Sequence, residues 1–270
     1  MPATSVVIAI GFECGLLLAG LALLWRFVVS PAARAQPRPQ LLTEWTIPGT
    51  DFLRFLLAIV CCSMIAALAA NLLMKFRPFA GPPKIILLTA CSHAGMLTGI
   101  AIFKLGIERV PLATAGFRRS DLVSGAVTFL ISVPIVIAVA LPWRAWLKLC
   151  GLDLEHQDLV DMFVNARSPT LLGLMITLAI ATAPVTEEML FRAGLFRFLR
   201  TRVHRWAALL GPACLFAALH QNLASFLPLV ALGIVFSLAY ERTGRIGTSI
   251  VAHALFNLFA IVQVFSGITE

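Results

Sequence analysis

Two adjacent glutamates, Glu187 and Glu188, lie in an apolar stretch of the sequence and are followed by Arg192. On a helix, Glu188 and Arg192 share one face, in the order that favours an ion pair. Glu187 is rotated by about 100 degrees from Glu188, so the same arginine serves it poorly. A carboxylate in a low-dielectric pocket can carry a proton from a water to a leaving group. Glu187 is therefore a candidate general base, and the alternative is an ion-pair network that only joins helices.

Pro184 precedes Glu187 by about one helical turn. A proline inside a helix removes one backbone hydrogen bond and bends the helix. We expect a kink at this point that opens space for a water beside Glu187.

Two more polar pairs follow in later apolar runs. Phe216 and His220 are one turn apart, and His253 and Asn257 are four residues apart, so each pair faces one direction. An imidazole beside a carboxamide can donate two hydrogen bonds to an oxyanion, or the histidine can bind a metal while the asparagine orients it. A single intramembrane histidine such as His220 is more often a packing residue, and the pair His253 and Asn257 alone could equally be interhelical polar packing. Together, the pairs supply a base, two imidazoles and an amide donor, which favours a site over packing.

Glu13 and His93 are also ionisable residues inside apolar runs, and each is isolated in the sequence. Such residues are costly in a bilayer unless they face the interior of a bundle. We interpret both as interior packing groups and nominate neither as a site residue.

The chain that carries these residues is too apolar for a soluble globule. It has 270 residues, of which 60% are hydrophobic and 13% charged, and its mean hydropathy is +0.93. Soluble domains carry charge on about a quarter of their residues. The net charge of +8 indicates membrane topology and contacts with lipid headgroups, because much of the basic excess lies at the ends of apolar runs. We expect the lipid bilayer as a partner and no nucleic acid.

Eight apolar runs lie at roughly 5–28, 52–75, 84–105, 121–143, 169–199, 206–222, 225–240 and 247–267. Unpaired backbone groups are costly in hydrocarbon and the runs lack the alternation of barrel strands, so we expect helices. The predicted fold class is all-α, a polytopic membrane bundle of about eight transmembrane helices. We expect residues 1–165 to form N-terminal helices and linkers, and residues 166–270 to form the core that carries the motifs.

Two segments between the runs have distinct patterns. The proline-rich stretch 31–39 predicts a surface linker that resists helix formation. Segment 153–165 has apolar residues on one helical face and acidic residues elsewhere, which predicts a short interfacial helix. That helix could cover a site or simply rest on the bilayer.

The three motifs together resemble a known family. Glu-Glu-x-x-x-Arg at 187–192, Phe-x-x-x-His at 216–220 and His-x-x-x-Asn at 253–257 are similar, in order and spacing, to the CPBP family of intramembrane proteases. This family is also called the CAAX prenyl endopeptidase or Abi family. The resemblance covers roughly residues 169–260 and implies about eight helices around a conical polar cavity, in which water reaches the site and a peptide is cleaved.

The resemblance also implies a role for each motif residue. Glu187 would activate the water with help from His220, and His253 and Asn257 would stabilise the oxyanion. The residues expected to support this site are Glu188, Arg192 and Phe216. The pattern offers no Ser or Cys nucleophile beside a base, so the expected reaction is general-base hydrolysis without a covalent acyl-enzyme.

A metal-dependent mechanism is the open alternative, because the family is widely described as metalloendopeptidases. Glu187, His220 and His253 would make a three-ligand zinc set with an open fourth position. However, the sequence lacks His-Glu-x-x-His, and a glutamate that ligates zinc cannot also be the free base. We therefore favour a glutamate-type mechanism that uses no cofactor.

The substrate is less defined than the chemistry. Eukaryotic relatives in this family process CAAX-box proteins, whereas bacterial members are linked to bacteriocin processing, immunity or trimming of sorting anchors. Richness in alanine and arginine suggests a bacterial chain, so we expect a protein of the bacterial cytoplasmic membrane that cleaves a membrane-associated or lipidated protein or peptide. The alternatives are a non-catalytic peptide-binding or bacteriocin-immunity protein and a small transporter, which would also use midplane carboxylates and histidines.

Overall fold

The computed structural model describes residues 3–36, 41–76, 81–106, 111, 117–152, 163 and 168–266. Every regular element within these ranges is helical. In chain order, the helices are α1 Ala3–Leu24 with a π-helical extension Trp25–Val29, α2 Pro31–Ala35, α3 Gly49–Leu73, α4 Pro82–Gly106, α5 Arg119–Leu149, α6 Pro169–Arg200, α7 Arg205–Leu219, α8 Leu223–Thr243 and α9 Ile246–Ser266.

The chain is an integral membrane protein. Among the described residues, seven helices are long and apolar enough to cross a membrane, and α7 is an apolar helix of intermediate length. Each of the eight predicted runs corresponds to one of these eight helices, which confirms the predicted all-α polytopic bundle. With 15 residues, α7 extends about 22 Å, less than the roughly 30 Å of a hydrocarbon core. A helix of this length that begins at one surface ends within the membrane.

The prediction for segment 31–39 was wrong at its start, where Pro31–Ala35 forms α2. Proline is tolerated at the first helical position because its missing N–H has no partner there. Ser30 caps the helix, with its Oγ accepting a hydrogen bond from the Ala33 N–H at 3.1 Å. The predicted interfacial helix at 153–165 lies outside the described residues except for Phe163.

Helix α6 changes its hydrogen-bond register along its length. Its segments are α-helical Pro169–Thr177, π-helical Leu178–Thr182, α-helical Ala183–Glu188, π-helical Met189–Phe196 and α-helical Arg197–Arg200. The Ala183 N–H bonds to the Leu178 carbonyl, five residues back. The next donor in this register would be at Pro184, which has no N–H. A π-helical turn therefore ends two residues before Pro184, where the sequence predicts a kink, and one turn of α-helix separates it from Glu187.

Helices α3 and α4 pack closely because α4 presents glycines to α3. A Cβ at Gly95 or Gly99 would overlap the α3 backbone at Cys62 or Ala58, and small residues permit this approach in membranes. An aromatic cluster then joins this helix pair to the end of α6, where the rings of Phe52 and Phe198 stack at 3.7 Å. These contacts hold α4 beside α6.

Helix α9 is fixed to α5 by a polar contact at its start. The Arg245 guanidinium donates to both carboxylate oxygens of Asp121, at 2.6 and 2.8 Å. This hydrogen bonding raises the pKa of Arg245 above its ordinary value, so the arginine stays charged. Next along the helices, the hydroxyls of Ser124 and Thr248 lie 2.8 Å apart. The two contacts fix the rotation of α9 and thereby the direction in which its motif residues project.

Candidate active site

A cavity of about 390 Å³ lies between α4, α6, α8, α9 and the end of α7. Most of its wall is apolar, including Ile86, Met175 and Ile261. The polar residues that line it are Thr89, His93, Glu187, His220, Ser225, His253 and Asn257. The cavity therefore brings together the four residues that the motifs predict to be catalytic, from two helices and one turn.

Glu188 and Arg192 form the ion pair that their spacing predicts. Arg192 Nη1 lies 2.7 Å from Glu188 Oε1, and the two side chains are 1% and 0% exposed. The same carboxylate oxygen accepts a hydrogen bond from His253 Nδ1 at 2.9 Å. Glu188 is thus shared between α6 and α9, and its bond to Nδ1 directs His253 Nε2 away from it.

Glu187 occupies a different environment from its neighbour. Its side chain is 20% exposed, and its Oε2 lies 3.7 Å from His253 Nε2. The two glutamates therefore contact opposite nitrogens of one imidazole. Counting Arg192, the cluster contains two carboxylates, one guanidinium and one imidazole.

Arg192 is enclosed by aromatic rings that the sequence motifs only partly identify. Its guanidinium carbon lies 4.7 Å from the ring centre of Phe216 and 5.4 Å from that of Phe236, within cation–π range. Phe216 also contacts the rings of His220 and His253 at 4.7 and 5.8 Å. Its position is therefore suited to the supporting role predicted for it. Phe236 was missed, since no motif spacing relates α8 to α6.

His220 lies in the turn between α7 and α8. Its Nδ1 is 2.8 Å from the Phe216 carbonyl oxygen. A carbonyl only accepts, so Nδ1 carries the proton and Nε2 is the acceptor in the neutral ring. The next residue, Gln221, has a positive φ of 51°, which turns the chain into α8. Such irregular backbone is tolerated at membrane depth where it lines a cavity.

Asn257 has a contact that the sequence did not predict. Its Nδ2 donates to the Ala179 carbonyl at 2.8 Å. In the π-helical hydrogen-bond register of Leu178–Thr182, the Ala179 carbonyl would accept from the N–H of residue 184. Residue 184 is a proline and has no N–H. Asn257 therefore satisfies a backbone acceptor that Pro184 leaves open. One N–H of its carboxamide remains for the predicted oxyanion role.

His93 contacts a second helix, as expected for an interior packing group, but it is not isolated. His93 lines the cavity on α4, and its Nδ1 lies 2.7 Å from Thr186 Oγ1, one residue before Glu187. The pairing joins positions 93 residues apart, so local spacing could not reveal it. Glu13 instead accepts from Gln263 Nε2 at 2.9 Å, which joins α1 to α9.

Comparison with known proteins agrees with the motifs. Residues 169–259 match the sequence profile of the type II CAAX prenyl endopeptidase Rce1-like family. This confirms the predicted family resemblance over those residues. The matched segment contains Glu187, His220, His253 and Asn257, whereas α1 to α5 lie outside it.

Two curated bacterial proteins are similar to part of the chain. "Putative membrane peptidase YdiL" of Bacillus subtilis (strain 168) is 33% identical over 90 residues, which cover 33% of this chain and 37% of YdiL. The UPF0177 protein YbdI of Lactococcus lactis subsp. lactis (strain IL1403) is 29% identical over 108 residues, or 40% of this chain and 57% of YbdI. The chain thus matches only about a third to just over a half of each relative's length. No solved structure shows a significant match.

The bacterial relatives and the seven spanning helices together confirm the predicted location in a bacterial membrane.

The donor geometry does not form the zinc set that the family resemblance suggests. Zinc ligands lie about 2.0–2.3 Å from the metal and therefore close to one another. Among the described residues, no three His, Cys, Asp or Glu side chains converge in this way. Of the candidates, Glu187 and His253 lie 3.7 Å apart. The mechanism below uses no metal, and its metal independence stays a prediction.

Proposed function

We propose that the chain is an intramembrane peptidase that hydrolyses a peptide bond of a membrane-associated or lipidated protein or peptide. The observation that carries this proposal is the division between two adjacent glutamates. Glu188 is fully buried and paired with Arg192 and His253, while Glu187 faces the cavity with part of its side chain exposed. The similarity of residues 169–259 to CAAX endopeptidases supports the same chemistry.

In the proposed reaction, a water in the cavity attacks the carbonyl carbon of the scissile bond. Glu187 Oε2 takes one proton of that water as the carbon–oxygen bond forms, and His220 Nε2 accepts a hydrogen bond from the other. The tetrahedral oxyanion then collapses and the carbon–nitrogen bond breaks. Glu187 returns its proton to the leaving nitrogen, so the products are a carboxylic acid and an amine.

The oxyanion needs hydrogen-bond donors, which His253 and Asn257 can supply. His253 donates from Nε2 only when the ring is an imidazolium, since its Nδ1 already donates to Glu188. Asn257 would contribute the N–H that is not bonded to Ala179.

The test compares peptide termini in bacterial membranes that contain wild-type protein or Glu187→Gln, with expression matched by immunoblot. Mass spectrometry is expected to find new ends that the variant lacks, and these ends identify the substrate. Glu44→Gln is the matched control, because Glu44 is an exposed glutamate away from this cavity. Identical termini in all strains would overturn the proposal. A toxin-sensitivity or transport phenotype that depends on Glu187 would then favour a binding or transport function.

A further inference from the structure

His93 presents an unused hydrogen-bond acceptor to the cavity. Its Nδ1 lies 2.7 Å from Thr186 Oγ1, and that hydroxyl lies 3.0 Å from the carbonyls of both Thr182 and Ala183. A hydroxyl has one proton and carbonyls only accept, so these carbonyls have a donor when the hydroxyl donates to the backbone and accepts from His93 Nδ1. The neutral ring then has its lone pair on Nε2. Within the described residues, this nitrogen has no hydrogen-bond partner.

Thr89 lies one turn before His93 on the same face of α4, and both line the cavity. No hydrogen bond of the Thr89 hydroxyl is found in the described part of the chain. On this otherwise apolar wall, formed also by Ile85 and Ile86, the two side chains form a short polar strip. The strip faces the cavity that also contains Glu187 and His253, although the mechanism above uses neither of its residues.

The spacing of the strip matches an extended peptide. Residues four apart on a helix are separated by about 6 Å along its axis. An extended peptide presents every second residue to the same side, at an interval of about 6.8 Å. Backbone N–H groups of a peptide that enters hydrocarbon need acceptors, because there is no water to take that role.

We propose that Thr89 and His93 form a substrate-binding strip that accepts hydrogen bonds from two backbone N–H groups, two residues apart, of an extended peptide. This inference rests on the proposed peptidase function and adds a binding site on α4, outside the segment that matches the family. His93 is a substrate-binding residue in this account, and Thr186 is a positioning residue that fixes its ring.

Two substitutions separate this role from a structural one. In His93→Gln, the side-chain amide reaches the position of Nε2 and keeps an acceptor in the cavity. In His93→Asn, the shorter amide reaches the position of Nδ1 and keeps the bond to Thr186 instead. The proposal predicts that Gln preserves substrate binding better than Asn. The reverse order, or equal behaviour of the two variants, would overturn it.

The assay uses a synthetic peptide that spans the cleavage site found by mass spectrometry, with protein in phosphatidylethanolamine–phosphatidylglycerol vesicles. His93→Asn and Thr89→Val are expected to raise KM about two- to tenfold, the effect of one lost hydrogen bond, with kcat nearly unchanged. His204→Asn is the matched control, since His204 is exposed and caps α7 outside the cavity. Unchanged KM in both strip variants would contradict the proposal, and melting temperatures show whether each variant is folded.

Methylated peptides test the geometry directly. Each peptide of a series carries one backbone N-methyl group. Methylation is expected to weaken binding at two positions in the series, two residues apart, and at one of these positions the methyl group should have no effect on His93→Asn. Binding is measured with Glu187→Gln so that no cleavage intervenes. If N-methylation weakens binding to His93→Asn at both positions, as in the protein with His93, the binding strip is overturned but the proposed peptidase function is not. If Glu187→Gln cleaves the peptide like wild type, the proposed function itself fails, and the strip fails with it.

Discussion

His253 Nδ1 lies 2.9 Å from Glu188 Oε1, while its Nε2 lies 3.7 Å from the carboxylate of Glu187. One imidazole on α9 therefore contacts two consecutive residues of α6 with its two nitrogens. The contact with Glu188 sets the tautomer and direction of the ring. The contact with Glu187 couples that ring to the proposed base. The adjacent glutamates consequently have different environments, and substitution can test whether they also have different functions.

Glu188→Gln is expected to destabilise the protein much more than Glu187→Gln. Removing one partner of a buried ion pair costs about 3–5 kcal/mol, because the remaining charge is left without compensation. Arg192 is that remaining charge here, with a side chain 1% exposed. Thermal unfolding of the purified variants in one detergent measures the difference, and Glu44→Gln serves as the exposed control. Equal melting temperatures for the two variants would contradict the assignment.

The pairing of Asn257 with the Ala179 carbonyl predicts an energetic coupling to Pro184. Asn257→Ala leaves this carbonyl unpaired and should cost about 1–3 kcal/mol in the free energy of unfolding. Pro184→Ala supplies a backbone N–H that can take over the carbonyl, so the same substitution should cost less in that background. A double-mutant cycle measures the coupling. Strict additivity would show that the two residues act independently.

Gly233→Ala is expected to disturb the packing of Arg192. The added methyl group would lie 2.9 Å from Ala213 Cβ and 3.3 Å from Arg192 Nη2. Overpacking of this kind typically costs about 1–3 kcal/mol in the free energy of unfolding. Gly173→Ala is the matched control, because a Cβ there meets nothing within 4 Å and alanine favours the helix. A Gly233→Ala variant as stable as the control would argue against the tight packing.

Metal analysis addresses the mechanism independently of stability. Because the candidate ligands do not converge, we expect purified protein to contain well under one equivalent of zinc and to keep its activity after dialysis against a chelator. Stoichiometric zinc that is lost in His220→Ala would contradict this and would revive the zinc set Glu187, His220 and His253.

The fold was largely predictable because membrane helices follow from hydropathy alone. Eight apolar runs give eight helices, and the i,i+4 spacing gives the ion pair between Glu188 and Arg192. The expectation that proline resists helix formation was wrong at Pro31, where a proline begins α2. The sequence also predicted a bend at Pro184 but not the π-helical register that precedes this proline.

The site was predictable only where its residues share a motif. Glu187, His220, His253 and Asn257 are found by spacing within helices and by family resemblance. His93 joins the cavity from α4 through the packing of separate helices, for which the sequence has no local signal. Similarly, the bond from Asn257 to Ala179 depends on how α9 lies against the π-helical turn of α6.

We propose above all that Glu187 activates the water without contributing to the stability of the bundle. The most direct measurement is the cleavage rate of the identified peptide by Glu187→Gln in vesicles, with the melting temperature of the same preparation. We expect a loss of about 100-fold or more in kcat, because a general base has been removed, with a melting temperature close to wild type. Cleavage at the wild-type rate by a folded Glu187→Gln protein would contradict it.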